Sequence, residues 1–315
     1  MSELEANGLR IHYLTEGAGP PMVMLHGATS SGAEDWSAQR PAFRRAFRLV
    51  IPDARGHAGT RWDTSEGFGN ELLTADLEAF VDALEVRTFH LVGFSMGAMT
   101  ALTYASRHPE RLRTLLISGI DNERQPRAAV AARLMDPERV DREEPAWADQ
   151  LERRHGPVQG PGAWRRLLRA LADDVGSQPI LTPAQLRGVR LPTLLAYGDR
   201  DVFCPPDHAV ALYRSLPDAR LFMAPDCDHQ VMVSRPGLFN EAAAGFYRDT
   251  AREAEARAGG TFTIGSRTAR SANRAPVPTS LDRAGEPAGL GSDMFEPGPR
   301  LPEGAQGSAE REARS

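Results

Sequence analysis

A hydroxyl, an imidazole and a carboxylate can together carry out acyl chemistry, and this chain offers all three where loops leave the ends of strands. The hydroxyl is Ser95, within Gly93-Phe94-Ser95-Met96-Gly97. An apolar run over 89–92 leads into it and a helical pattern over 98–105 follows, which puts the serine on a sharp strand-to-helix turn. Gly93 and Gly97 let the backbone double back and push the hydroxyl out above the amino end of the helix. Such a hydroxyl needs a base to take its proton, and the base needs a carboxylate to fix its tautomer. Among the histidines, His12 sits in an opening hairpin, His90 within a strand, His108 before a proline, His155 in a long insertion and His208 in a helix. His229 follows the last strand and its turn, where a loop aims it at the sheet's carboxyl edge, and it is the expected base. The carboxylate belongs between the two, just past a strand. Asp201 is the first choice, because the Gly198-x-x-Asp201 spacing clears the strand end and Val202-Phe-Cys-Pro-Pro206 locks the loop; Asp199 is second and Asp121 third.

The elements that must position these groups alternate. Apolar runs over 22–25, 49–51, 89–93, 114–118, 193–197 and 220–223 read as strands, separated by helical patterns such as 71–84 with Leu73, Leu77, Phe80 and Leu84 on one stripe. Asn7-Gly8 between two short runs reads as a tight hairpin turn. This rhythm predicts an α/β fold with a mostly parallel sheet flanked by helices, split into a first part (1–120) and a second part (191–257). The interval 121–190 is far longer than a βα connection and helical in composition, so it is expected to be a lid over the site. Its arginines, among them Arg124, Arg127, Arg154 and Arg165, alternate with acids and read as solvated helical surface rather than as a grip on an anionic substrate. From 258 to 315 the chain is rich in Gly, Pro, Ser and charge, which predicts a disordered tail. Phe94 and Met96 flank the serine, and Trp36, Trp62, Phe203 and Met232 are candidates for lining a pocket.

Composition removes other chemistries. All 37 cationic residues in the Lys+Arg count are arginine, so neither a Schiff base nor a phosphate-binding P-loop lysine is available. A net charge of −5 gives no electrostatic footprint for nucleic acid. There is no apolar run long enough for a membrane span, and the acidic start is unlike a secretory signal, so a cytoplasmic protein is expected. Cys204 and Cys227 have no metal-ligand spacing, but they flank Asp201 and His229 closely enough for a disulfide to be geometrically feasible. No metal and no cofactor are called for; the partners are a small acyl substrate and water.

With the order Ser95, Asp201, His229 in view, the chain resembles the α/β-hydrolase fold family over about residues 4–250. Leu25-His26-Gly27-Ala28 after an early strand is similar to that family's oxyanion loop, and Asp53-Ala-Arg55-Gly56-His57 to its Asp-x-Arg-Gly-His turn. The resemblance implies structural roles for His26, Gly27, Gly93, Gly97 and the turn around His57. It also implies an oxyanion hole made by the backbone N–H groups of Ala28 and Met96. A serine rather than an aspartate at the elbow separates the chain from the family's epoxide hydrolases and dehalogenases. Ala58, Ala98 and the Asp226-Cys227-Asp228 run depart from common family usage and point to a divergent subfamily. The activity implied is that of a carboxylesterase-like serine hydrolase of esters, or of related thioesters, lactones or carbon–carbon bonds. A cofactor-free perhydrolase or haloperoxidase-like enzyme and a non-enzymatic ligand-binding member are the alternatives.

Overall fold

A computed structural model of the chain describes residues 2–259. The tail expected over 258–315 therefore falls almost wholly outside the described residues. The chain opens with the hairpin β1 (Ser2–Ala6) and β2 (Leu9–Glu16). Asn7 and Gly8 both take positive φ, 49° and 75°, as a tight turn with the right-handed twist of its strands requires. Six further strands follow: β3 (Pro21–Leu25), β4 (Arg48–Pro52), β5 (Phe89–Phe94), β6 (Leu112–Ser118), β7 (Thr193–Gly198) and β8 (Ala219–Ala224). All eight form one sheet in the order β1-β2-β4-β3-β5-β6-β7-β8, antiparallel at the β1-β2-β4 edge and parallel from there on.

The parallel strands are apolar on both faces because helices cover both. On β3, Val23 packs into one core and Met22 and Met24 into the other; on β6, Leu115 and Ile117 oppose Leu116 in the same way. The first core is closed by Phe80 of the helix Asn70–Ala83, Leu102 of Met96–Arg107 and Leu212 of Pro206–Ser215. The second is closed by Trp36 and Phe43 near the short helices Gly32–Asp35 and Arg40–Phe43, and by Phe239 and Tyr247 of the C-terminal helix Pro236–Gly259.

Between β6 and β7 the chain forms Arg127–Leu134, Pro137–Glu143, Pro145–Gln159, Ala163–Ser177 and Pro183–Gly188. The first four share an apolar cluster that includes Ala131, Val140, Leu151, Trp164, Leu168 and Leu171. Each large buried side chain there stabilises the cap by roughly 1.5–3 kcal/mol, an upper figure because the unfolded chain already buries some of that area. Leu73 and Met96 of the main body join the cluster, so the cap is packed onto the body rather than tethered by its ends. Parallel register brings strand ends together: Leu25 lies opposite Gly93, Phe94 opposite Ser118 and Gly198 opposite Ala224. The loops after β3, β5, β6, β7 and β8 consequently leave the sheet along one carboxyl edge, beneath the cap. Among the described residues, no helix is long and apolar enough to cross a membrane.

Candidate active site

Ser95 caps the helix Met96–Arg107 with φ 50° and ψ −113°, a conformation that a side chain rarely adopts and that costs of order 1–3 kcal/mol. The surrounding backbone holds it there. Ser95 N–H donates to Ser118 O at 2.9 Å, Gly97 N–H to His26 O at 3.1 Å and Ala98 N–H to Ser95 O at 2.9 Å. The two glycines are required by space rather than by torsion, since neither has a positive φ. A Cβ on Gly93 would lie 2.4 Å from Gly97 O, and one on Gly97 would lie 2.6 Å from His26 O and from Leu25 O.

His229 and Asp201 complete a hydrogen-bonded line. His229 Nε2 is 3.0 Å from Ser95 Oγ, and His229 Nδ1 is 2.8 Å from Asp201 Oδ2. The Asp201 carboxylate is buried, and its other oxygen accepts from the N–H groups of Phe203 at 2.8 Å and Cys204 at 3.1 Å. This fixes the carboxylate so that the imidazole proton lies on Nδ1 and the lone pair on Nε2 faces the serine. The histidine ring is walled by Phe94 and Phe203, with centroids at 5.0 and 4.5 Å. The two other aspartates are used elsewhere. Asp199 accepts from Cys227 N–H at 3.1 Å, and Asp121 pairs with His208 Nδ1 at 2.9 Å.

The loop after β3 is set by His26, which accepts from Ala54 N–H at Nε2 (2.9 Å) and therefore carries its proton on Nδ1, donating to Gly27 O at 2.7 Å. Buried Asp35 accepts from Gly27 N–H at 2.8 Å, and burial raises its carboxyl above the usual range. A Cβ on Gly27 would meet the Phe94 ring at 2.6 Å, so this glycine lets the loop lie against the residue preceding the serine. Met96 begins its helix, leaving its N–H at the free end, and Ala28 and Met96 both line the space into which Ser95 and His229 open. Asp53, Arg55 and His57 act in the scaffold. Asp53 accepts from Gly32 N–H and pairs with His12, Arg55 forks onto Asp76 at 2.6 Å on both arms, and burial lowers the fully enclosed His57 imidazole well below the usual histidine range.

Two spaces meet at the Ser95–His229 pair. The inner, narrow one is walled by buried residues including Met96, Ile120, Arg127, Leu171 and Gln178. The outer, wider one, about 320 Å³, opens past Trp147, Arg200, Gln230 and the exposed Val202. Phe94, Met96 and Phe203 border these spaces as the sequence suggests. Trp36 and Met232 do not; both are fully buried in the second core, and Trp62 packs on Phe68 with its indole N–H on Gly67 O. Cys204 and Cys227 are both free and buried. Among the described residues, no three or more His, Cys, Asp or Glu side chains converge as metal ligands would.

The cap arginines divide. Arg165 forks onto Asp141 and Arg169 pairs with Glu138 at the surface, as expected of a solvated face. Arg127 differs: it is only 5% exposed, lines the inner space, and none of its three guanidinium nitrogens has a hydrogen-bond partner among the described residues. Burial lowers its pKa, yet a guanidinium stays charged at neutral pH. The signal in the sequence is the stripe 127/131/135, where Ala131 and Met135 are also buried and no acid stands three or four residues on to pair with Arg127.

Residues 22–242 match the alpha/beta hydrolase family. The chain is 26% identical over 281 residues to 2-hydroxy-6-oxo-6-phenylhexa-2,4-dienoate hydrolase of Comamonas testosteroni, which covers 79% of this chain and 94% of that one. It is 24% identical over 259 residues to serine hydrolase BPHL of Homo sapiens, with 78% and 85% covered. The fold superimposes on the enol-lactonase from Burkholderia xenovorans LB400 with a TM-score of 0.64 at 21% identity, covering 78% of this chain and 100% of that one. It matches Est816, described as an N-acyl homoserine lactone degrading enzyme, at a TM-score of 0.64 and 25% identity, again covering 78% and 100%. The chain, with its eight-stranded mostly parallel sheet flanked by helices, is a hydrolase belonging to the alpha/beta hydrolase family.

Proposed function

We propose that this hydrolase cleaves a carboxylic ester or a closely related acyl bond through Ser95, with His229 as base and Asp201 as its orienting partner. The observation that carries this reading is the hydrogen-bonded line Ser95–His229–Asp201, with spacings of 3.0 and 2.8 Å, at the junction of a buried inner space and an open outer one. His229 takes the Ser95 proton through Nε2 as Oγ attacks the substrate carbonyl. The imidazolium that forms is stabilised by the buried Asp201 carboxylate, whose backbone donors keep it from rotating away. The N–H groups of Ala28 and Met96 hold the developing oxyanion, the second aided by the amino end of its helix. His229 then protonates the leaving group, and a water activated by the same nitrogen releases the acid from the acyl-enzyme.

The relatives support this breadth of acyl substrate: one is named as a dienoate hydrolase, one as an enol-lactonase and one as a degrader of N-acyl homoserine lactones. The partner is a small molecule. A fluorophosphonate probe, with the adduct mapped by peptide mass, is expected to label Ser95. Ser95→Ala is expected to abolish labelling and to lower p-nitrophenyl ester turnover by at least about a thousandfold. Undiminished turnover by that variant would refute the assignment.

A further inference from the structure

We propose that Arg127 is the anchor for a carboxylate on the substrate, so that the preferred substrates are esters or related acyl compounds carrying a second, ionised carboxyl group. This rests on Ser95 and His229 acting as described above. Arg127 lies on the cap helix Arg127–Leu134 and shares the inner space with both of them. A buried cation without a partner is costly unless something compensates it. Asp121 and Asp174 offset part of that charge through space, but neither accepts a hydrogen bond from the guanidinium. Asp174 accepts from Asn70 N–H at 2.7 Å and from Gln178 Nε2 at 2.6 Å, one bond to each oxygen. Asp121 is used in the same way by Glu123 N–H at 3.0 Å and His208 Nδ1 at 2.9 Å. The guanidinium is left with its donors uncommitted in a space otherwise walled mainly by Met96, Met135, Leu171 and Phe203.

The chemistry selects the ligand. A planar guanidinium fork matches a carboxylate with two parallel hydrogen bonds, which neither Asp121 nor Asp174 makes with it. A phosphate dianion would place one more negative charge than a carboxylate beside Asp174, which lines the same space. The apolar walls accept the short hydrocarbon that would join the carboxylate to the reacting carbonyl.

The test uses two matched ester pairs on the full chain. The acyl-side pair is p-nitrophenyl hydrogen glutarate against p-nitrophenyl pentanoate. The alcohol-side pair is 4-carboxyphenyl butyrate against 4-carbamoylphenyl butyrate. The wild-type protein is expected to favour the carboxylated member of one pair by at least about tenfold in kcat/KM, and the pair concerned identifies which side of the scissile bond faces Arg127. In Arg127→Met that ratio should fall to near one. Arg127→Lys keeps the charge without the fork; it should retain part of the ratio, and it serves where the methionine variant fails to fold. A wild-type ratio near one in both pairs overturns the proposal, as does a ratio that survives in Arg127→Met. Loss of all ester turnover in the wild type would instead overturn the acyl-hydrolase reading. The anchor is then read by binding: glutarate should raise the Tm of Ser95→Ala but not of Ser95→Ala with Arg127→Met, and no rise in the former sinks it.

Discussion

Protonation of one buried histidine should weaken the join between cap and body in a measurable way. His155, on the cap helix Pro145–Gln159, is fully enclosed; it accepts from Ala58 N–H at 3.1 Å through Nδ1 and donates to Thr29 O at 3.2 Å through Nε2. Burial pushes its pKa down to about 4 from 6.5; the bond to Thr29 O opposes this, Arg154 and His26 add to it, and Asp53 opposes it weakly. His57 faces the same ring at 5.5 Å. The unfolded chain therefore binds this proton more readily than the folded one between about pH 4 and 6.5, and stability rises with pH through that window. The contribution is complete above about pH 6.5 and is lost as the pH falls toward 4. For one site with these two values, the loss between about pH 7.5 and about pH 5 is roughly 2 kcal/mol, a large share of a typical 5–15 kcal/mol. The perturbation is His155→Gln, which keeps a donor and an acceptor but does not titrate. Urea unfolding followed by tryptophan fluorescence at the two pH values gives the loss for each protein. The variant's loss should be smaller by about 2 kcal/mol, whatever its stability at neutral pH. Equal losses in the two proteins would show that His155 titrates normally in the folded state and would refute the reasoning.

Other expectations follow from the same geometry. Asp201→Asn should keep the fold but reverse the hydrogen-bond preference at His229 Nδ1, lowering kcat by roughly a thousand- to ten-thousandfold; a change below tenfold would remove Asp201 from its role. Gly119 has φ 71°, and a Cβ there would stand 2.8 Å from His229 Cε1 and 3.2 Å from Phe94 Cε2. Gly119→Ala should therefore displace the imidazole and cut kcat by at least about tenfold, with about 1–2 kcal/mol lost in stability; turnover within twofold of wild type would contradict this. Burial raises both thiol pKa values, so Cys204 and Cys227 should resist a thiol reagent until urea unfolds the chain, and the intact mass should be the same with and without reductant. Rapid labelling of the folded protein would contradict their burial.

Strands were readable because burial on two faces writes itself as unbroken apolar runs: Met22-Val-Met-Leu25 is the plainest case, with alternate residues feeding different cores. The turn at Ser95 was readable because two glycines flank a residue between a strand and a helix, although the structure assigns the unusual torsion to the serine and only the close approaches to the glycines. Choosing Asp201 over Asp199 on spacing alone left a contest that only coordinates decide: two residues along the same loop, one faces His229 and the other a backbone N–H of the next loop. What stayed hidden is tertiary. Arg127 looks like its surface neighbours until the cap folds its stripe inward, and the pocket candidates Trp36 and Met232 sit in a core because helix Pro236–Gly259 covers that face. The hold of His155 on Thr29 spans 126 residues, and no local pattern announces it.

The two spaces that meet at Ser95 impose an order of traffic. The inner one is walled by buried residues and the outer one carries the exposed rim at Val202, so whatever occupies the inner space passes the serine on the way in and again on the way out. Under the proposed chemistry the alcohol fragment is released first and the acid last, from the acyl-enzyme, so the side that occupies the inner space decides which product must back out past the serine. That last product binds the free enzyme in competition with the next substrate molecule, so the acid, not the alcohol, is the competitive product inhibitor.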